Sequence, residues 1–299
     1  MEWVNSIRGP NLTIFFQYIT WLGYKDFLFL FVPFCYWFFD RKIFSTFTLF
    51  VFISALLNSF LKDLFQDPRP ESIESIDPFL VGLDPSYGFP SGHAQLAVVI
   101  WGFILLRSNN NFIKILCLFL ITSISFSRIY LGVHDIADVI SGIIFGIVSI
   151  ILLEQLLSDK GKWLRELNKA WHFFIYLILF FLTYTFWPPE ENSLTALALG
   201  ALVIGFWFGR ILDEEYFHFK NQSNVILRIV FIVLAITGFI QLNVYIENLF
   251  DITNLNKSIE AVISSLILGF YISFIAPFIL CFVRLQKKDL INKHSQFFY

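Results

Sequence analysis

The sequence predicts an all-α fold, a polytopic bundle of transmembrane helices, and three observations lead there. Hydrophobic residues make up 57% of the chain and charged residues only 15%, against roughly half and a quarter in a soluble domain. Mean hydropathy is +0.70. The apolar residues also gather into runs near the 17 to 25 residues, roughly, that a helix needs to cross a bilayer. Isolated strands would leave backbone groups unpaired in hydrocarbon, so each run must be helical. A net charge of −2 makes nucleic acid a poor partner and the bilayer the natural one.

Nine runs can be marked, at about 22–39, 43–61, 90–107, 112–127, 136–157, 170–187, 194–212, 225–242 and 258–283. The first, third and fourth are short unless their flanks join in. Ahead of them, Trp3, Val4 and Ile7 share one face of a short helix, which reads as an interfacial amphipathic segment. Arg8, Gly9 and Pro10 interrupt the hydrophobicity early and no basic leader precedes it, so no cleavable signal peptide is expected. Cys35, Cys117 and Cys281 each lie inside an apolar run and read as buried free thiols. The charged connector "SDKGKWLRELNK", residues 158–169, is the largest break in character, and everything that looks chemical precedes it. Further on, "DEEYFHFK" from Asp213 to Lys220 reads as a solvated loop.

Sidedness follows from the cations. Nine spans alternate the connectors between two faces. One face receives Arg8, Lys25, Lys62, Arg69, Arg128 and Lys257, and the other receives the remaining 15 of the 21 Lys and Arg residues. The positive-inside rule then places the N-terminus outside and the C-terminus in the cytoplasm of a plasma or inner membrane.

The polar residues concentrate on that sparsely cationic outer face. Lys62 ends the second run and Arg69-Pro70 follows it. Ser91-Gly92-His93 opens the third run, Ser127-Arg128 ends the fourth, and His134 and Asp138 stand at the start of the fifth. Lys62, Arg69 and Arg128 would offer fixed positive charge and directed donors to the oxygens of a phosphoryl group. Gly92 permits close backbone approach, and Ser91 with the first amides of a helix adds donors where anions are favoured. A carboxylate bonded to one imidazole nitrogen sets the tautomer and leaves the other nitrogen as nucleophile or base. His134 and Asp138, spaced i,i+4, suit that pairing, although Asp135 competes with Asp138 on chemical grounds. His93 can then give a proton to a leaving oxygen. Together these residues amount to a phosphoryl-transfer site that needs no metal and no cofactor.

These residues resemble the type 2 phosphatidic acid phosphatase superfamily, which includes bacterial lipid phosphatases and vanadium haloperoxidases. The family pattern is Lys-x6-Arg-Pro, Pro-Ser-Gly-His and Ser-Arg-x5-His-x3-Asp. Here it reads "KDLFQDPRP" from Lys62 to Pro70, "PSGH" from Pro90 to His93, and "SRIYLGVHDIAD" from Ser127 to Asp138. The resemblance implies that His134 forms a phosphohistidine, that Asp138 orients it and that His93 protonates the leaving group. It implies that Lys62, Arg69, Ser91, Gly92 and Arg128 hold the phosphate. It also implies a six-helix core, here residues 1–187 with the motifs within 62–138, followed by an extension of about three spans over residues 188–299. Packing, contacts in a homo-oligomer, or a lateral lipid entry are roles that would suit this extension.

The expected function is therefore hydrolysis of a lipid phosphate or diphosphate at the non-cytoplasmic face. A lipid phosphotransferase would use the same phosphohistidine with an alcohol acceptor. A transporter of anionic substrates would bind without bond chemistry, but transporter sites usually lie at the bilayer midplane rather than at one interface.

Overall fold

The computed structural model describes residues 2–70, 75–80, 86–188, 194–217, 225–253 and 255–279, and every regular element among them is helical. In chain order these are α1 (Glu2–Ile7), α2 (Pro10–Trp21), α3 (Lys25–Phe38), α4 (Arg41–Phe65), α5 (Gly92–Arg107) and α6 (Asn111–Tyr130). There follow α7 (Ile136–Leu157), α8 (Lys162–Arg165), α9 (Lys169–Thr185), α10 (Leu194–Leu212), α11 (Val225–Thr253) and α12 (Lys257–Phe270). The all-α transmembrane class holds, and the chain is an integral membrane protein. Among the described residues, six helices are long and apolar enough to cross a bilayer, or seven if the bent pair on either side of residues 166–168 forms one span.

The difference from nine spans has a simple cause. The run expected at 22–39 loses its first residues to a turn at Leu22–Tyr24, where the Gly23 amide bonds the Thr20 carbonyl at 2.9 Å. This leaves α3 with 14 residues, and α5 has 16. At about 1.5 Å per residue, both fall short of a hydrocarbon core of about 30 Å. Conversely, α4 runs four residues past the expected end at 61, so Lys62 lies within its last turn.

Two compact units emerge. The first comprises Met1–Phe31, Phe50–Asn168 and Ile178–Ala196. Within it α5 packs on α6 and α7, and α2 packs on α6. Small residues make the α5–α7 contact close: a Cβ on Gly142 would lie 3.1 Å from the Ala94 Cβ and overlap the Ser91 carbonyl oxygen. A buried amide network adds to this packing. Asn58 Nδ2 donates to Gln95 Oε1 at 2.9 Å and to the Pro90 carbonyl at 3.2 Å, and Gln95 Nε2 donates to Ser54. Such interhelical bonds spare polar groups from meeting hydrocarbon unpaired. The N-terminal helix does not present Trp3, Val4 and Ile7 together. Val4 is buried against Ala94, Ile129 and Val139, while Trp3 and Ile7 stay exposed.

The second unit contains Val32–Leu49, Lys169–Leu177 and the described residues from Leu197 onward. Here α10 and α12 approach backbone to backbone at Gly205 and Gly269. Asp213 is not a solvated loop residue: it is buried and pairs with Arg41 at 2.7 Å. A carboxylate that follows directly on an apolar helix is costly unless paired, and Arg41 supplies the partner. Cys35 and Cys117 are buried free thiols. Cys281, Lys220 and the tail cations Arg284, Lys287, Lys288 and Lys293 lie outside the described residues.

Candidate active site

The helix–turn–helix between α6 and α7 builds the centre of the site. Gly132 has φ 75°, a left-handed conformation that glycine adopts without strain. The turn folds back so that the amides of Val133 and His134 both reach the Arg128 carbonyl, at 3.1 and 3.3 Å. Asp135 is then the N-cap of α7, its side chain accepting from the Asp138 amide at 2.8 Å. In return the Asp138 carboxylate accepts from the Asp135 amide at 3.3 Å, which completes a capping box. The same Asp138 oxygen lies 3.0 Å from His134 Nδ1. His134 precedes the helix, so the pairing comes from the cap geometry and not from a shared helical face. Asp135 is occupied by capping and Asp138 faces the imidazole, which separates the two competing carboxylates.

Each remaining candidate residue can be placed around this pair. Ser91 occupies the N-cap position of α5, and its amide donates to the Asp138 carbonyl at 2.9 Å. Its buried hydroxyl has no partner among the described residues. Gly92 opens the helix so closely against α4 that a Cβ there would lie 2.8 Å from Asn58 Oδ1. Lys62 is buried, with Nζ donating to the carbonyls of Tyr87 and, at 3.0 Å, Gly88. Gly88 in turn touches Asp138, since a Cβ on it would fall 2.9 Å from Oδ2. Arg69 is half-buried and donates to the Ser86 carbonyl and hydroxyl and, at 3.3 Å, to the Val133 carbonyl beside His134. Lys62 and Arg69 spend these donors on neutral oxygens.

Arg128 is almost wholly buried, and its guanidinium meets Asp77 Oδ2 at 2.7 Å and the Thr20 hydroxyl. Its Nε has no partner among the described residues. Tyr24 also donates to Asp77, at 2.6 Å, and its ring stands edge-on to His93 with centroids 4.6 Å apart. His93 Nε2 is buried without a partner among the described residues. The eight candidate residues thus converge through direct contacts or through a single intermediate.

The loop groups carry the electrostatic signature of this crowding. Burial, and then the nearby cations Arg128, Lys62 and Arg69, hold the His134 imidazole well below the usual histidine range. Its ring is therefore neutral at pH 7, with Nε2 the nitrogen not facing Asp138. Burial and the neighbouring Arg128 push Arg69 down to about 10, so it stays charged at neutral pH. Burial raises Tyr24, which remains a phenol and a donor.

Thr20, Gly23, Tyr24, Asn58, Asp77 and Gln95 were not legible as parts of the site. The one available signal was Asp77, a carboxylate beside apolar residues between two of the motifs.

A family model described as the PAP2 superfamily matches residues 43–162, which include every motif residue above. A second, described as "PAP2 superfamily phosphatase, transmembrane extension", matches residues 197–288. The chain belongs to the PAP2 superfamily. As a PAP2 protein it is similar to dihydrosphingosine 1-phosphate phosphatase of Schizosaccharomyces pombe, 28% identical over 77% of this chain and 60% of that protein. It is similar to human sphingosine-1-phosphate phosphatase 2, 27% identical over 66% of this chain and 52% of that protein. Phosphatidylglycerophosphatase B of Bacillus subtilis is 27% identical over 54% of this chain and 82% of its own length. A crystal structure of Aquifex aeolicus LpxE, 27% identical, aligns over 51% of this chain and 90% of that one with a TM-score of 0.44. The PAP2 chain described here thus spans about half to three fifths of the first two relatives.

Proposed function

We propose that this protein hydrolyses a lipid phosphate through a phosphohistidine on His134, at the non-cytoplasmic face and without a metal ion. The observation that carries the reading is the His134–Asp138 pair, which leaves Nε2 of a neutral imidazole as the nucleophile. In the first step Nε2 attacks phosphorus and the bond to the lipid oxygen breaks. His93, protonated on both ring nitrogens once the anionic phosphate is bound beside it, gives its Nε2 proton to that leaving oxygen. In the second step His93, now neutral, takes a proton from water as the hydroxyl attacks the phosphohistidine, which releases phosphate and restores His134. Lys62, Arg69, Arg128, the Ser91 hydroxyl and the Gly92 amide hold the phosphate oxygens and offset the charge that develops on them.

Several features support the finer points. Lys62, Arg69 and Arg128 supply the positive charge that a metal would otherwise bring. With α3 and α5 counted as crossings together with their flanks, 15 of the 21 cations fall on the opposite face, which supports a non-cytoplasmic site. The two sphingoid-base relatives make a sphingoid-base phosphate the first substrate to assay.

The test is phosphate release by the purified full chain from a panel of lipid phosphates, with a chelator present. Release from lipid monoesters is the expected result. A strict need for a divalent cation would overturn the mechanism, and a newly phosphorylated alcohol in place of free phosphate would reassign the protein as a phosphotransferase.

A further inference from the structure

The turn between α2 and α3 lies ahead of the residues that the PAP2 domain model matches, yet it meets His93 at three points. The Thr20 backbone hydrogen-bonds the ring, and since Nε2 has no partner among the described residues, the bond is made at Nδ1. Gly23 lies directly against the imidazole. The three nearest atoms to a Cβ built there all belong to His93, Cγ at 2.8 Å and Cδ2 closer still. Tyr24 supplies the third contact with its edge-on ring. Tyr24 is itself held, because its hydroxyl donates to Asp77, whose same oxygen binds Arg128. The Phe79 amide donates to the other Asp77 oxygen at 3.1 Å.

We propose that Gly23 and Tyr24 are positioning residues that fix the His93 ring so that Nε2 faces the leaving oxygen, with Asp77 tying this wall to Arg128. The proposal rests on the reading of His93 as the general acid. Thr20, Gly23 and Tyr24 thus hold the ring without taking a hydrogen bond at Nε2, which has no partner among the described residues. Acid–base groups contribute about 10²- to 10⁴-fold when placed within hydrogen-bond reach, and a displacement of about 1 Å can forfeit about 10²-fold. Gly23→Ala puts a methyl where the His93 ring now lies, so the ring and the turn can no longer keep their present contact.

A leaving-group comparison tests this. An alkyl phosphate needs its leaving oxygen protonated, whereas p-nitrophenyl phosphate releases an anion that is stable without a proton. The ratio of alkyl to aryl turnover is measured for the unsubstituted full chain and for Gly23→Ala, Tyr24→Leu, Tyr24→Phe and His93→Ala. Gly23→Ala and Tyr24→Leu are expected to lower the ratio about 10- to 100-fold. Tyr24→Phe, which keeps the ring, is expected to recover most of what Tyr24→Leu loses. If both rates fall together in Gly23→Ala, leaving the ratio unchanged, the turn is merely structural and the proposal is overturned. The Tyr24 pair is scored in the same way should Gly23→Ala fail to fold. His93→Ala separates the two levels of the argument: an unchanged ratio there removes His93 as the acid, while a lowered ratio there with unchanged ratios at Gly23 and Tyr24 removes only the wall.

Discussion

Asp138 Oδ2 lies 3.0 Å from His134 Nδ1 and also accepts the Asp135 amide, so one carboxylate oxygen both caps α7 and orients the imidazole. The cap and the catalytic pair are one structure. Whatever fixes the start of the helix therefore also fixes the direction of Nε2.

The two neighbouring aspartates should separate cleanly. Asp138→Asn is expected to lower kcat by about 10²- to 10⁴-fold, the range of a positioned acid–base group. Asp135→Asn should keep most turnover and cost well under the ~1 kcal/mol of a lost cap, because asparagine caps about as well as aspartate. Steady-state kinetics and thermal midpoints of both variants check this. Comparable loss of turnover in the two would contradict the division of roles.

The pH behaviour of His134 has a definite sign. The ring loses its nucleophilic lone pair when it gains a proton, which happens as pH falls through its pKa. Burial and three cations depress that pKa, so the neutral, competent ring persists below pH 6.5. An NMR titration of histidine-labelled protein without substrate should show His134 still neutral at pH 6.5. A midpoint at or above that value would contradict the electrostatic account.

The α5–α7 contact should tolerate no side chain. In Gly142→Ala the new methyl would overlap the Ser91 carbonyl and crowd the Ala94 Cβ at 3.1 Å. Overpacking of a tight contact typically costs about 1–3 kcal/mol. Because Ser91 also donates to the Asp138 carbonyl, turnover should fall along with the thermal midpoint. Gly9, where a Cβ meets nothing within 4 Å, serves as the control.

Much of this architecture was legible in the sequence because it is written in local patterns. Apolar runs place helices such as α7 and α10 to the residue, and the motifs pick out Lys62, His93 and His134, which the fold gathers into one cluster. What was not legible depends on distant packing. Tyr24 is one aromatic among many, and nothing near it in sequence shows that it bridges His93 and Asp77. Asp77 looks like an ordinary loop carboxylate until the fold buries it against Arg128. The first run already reads as short, but its start falls at 22 because the turn at Leu22–Tyr24 follows directly on the apolar end of α2. Asp213 was misread because its partner Arg41 is far away in the chain.

The central claim is a covalent intermediate on His134, and acid- and base-quenched turnover of a phosphorus-32-labelled lipid phosphate tests it most directly. The account predicts radiolabel on the protein that is lost in acid and survives alkali, as a phosphoramidate does. The label should map to His134, be absent from His134→Ala, and accumulate when His93 is replaced and an aryl phosphate is the donor. Near-normal phosphate release by His134→Ala, or label that maps to another residue, would contradict it.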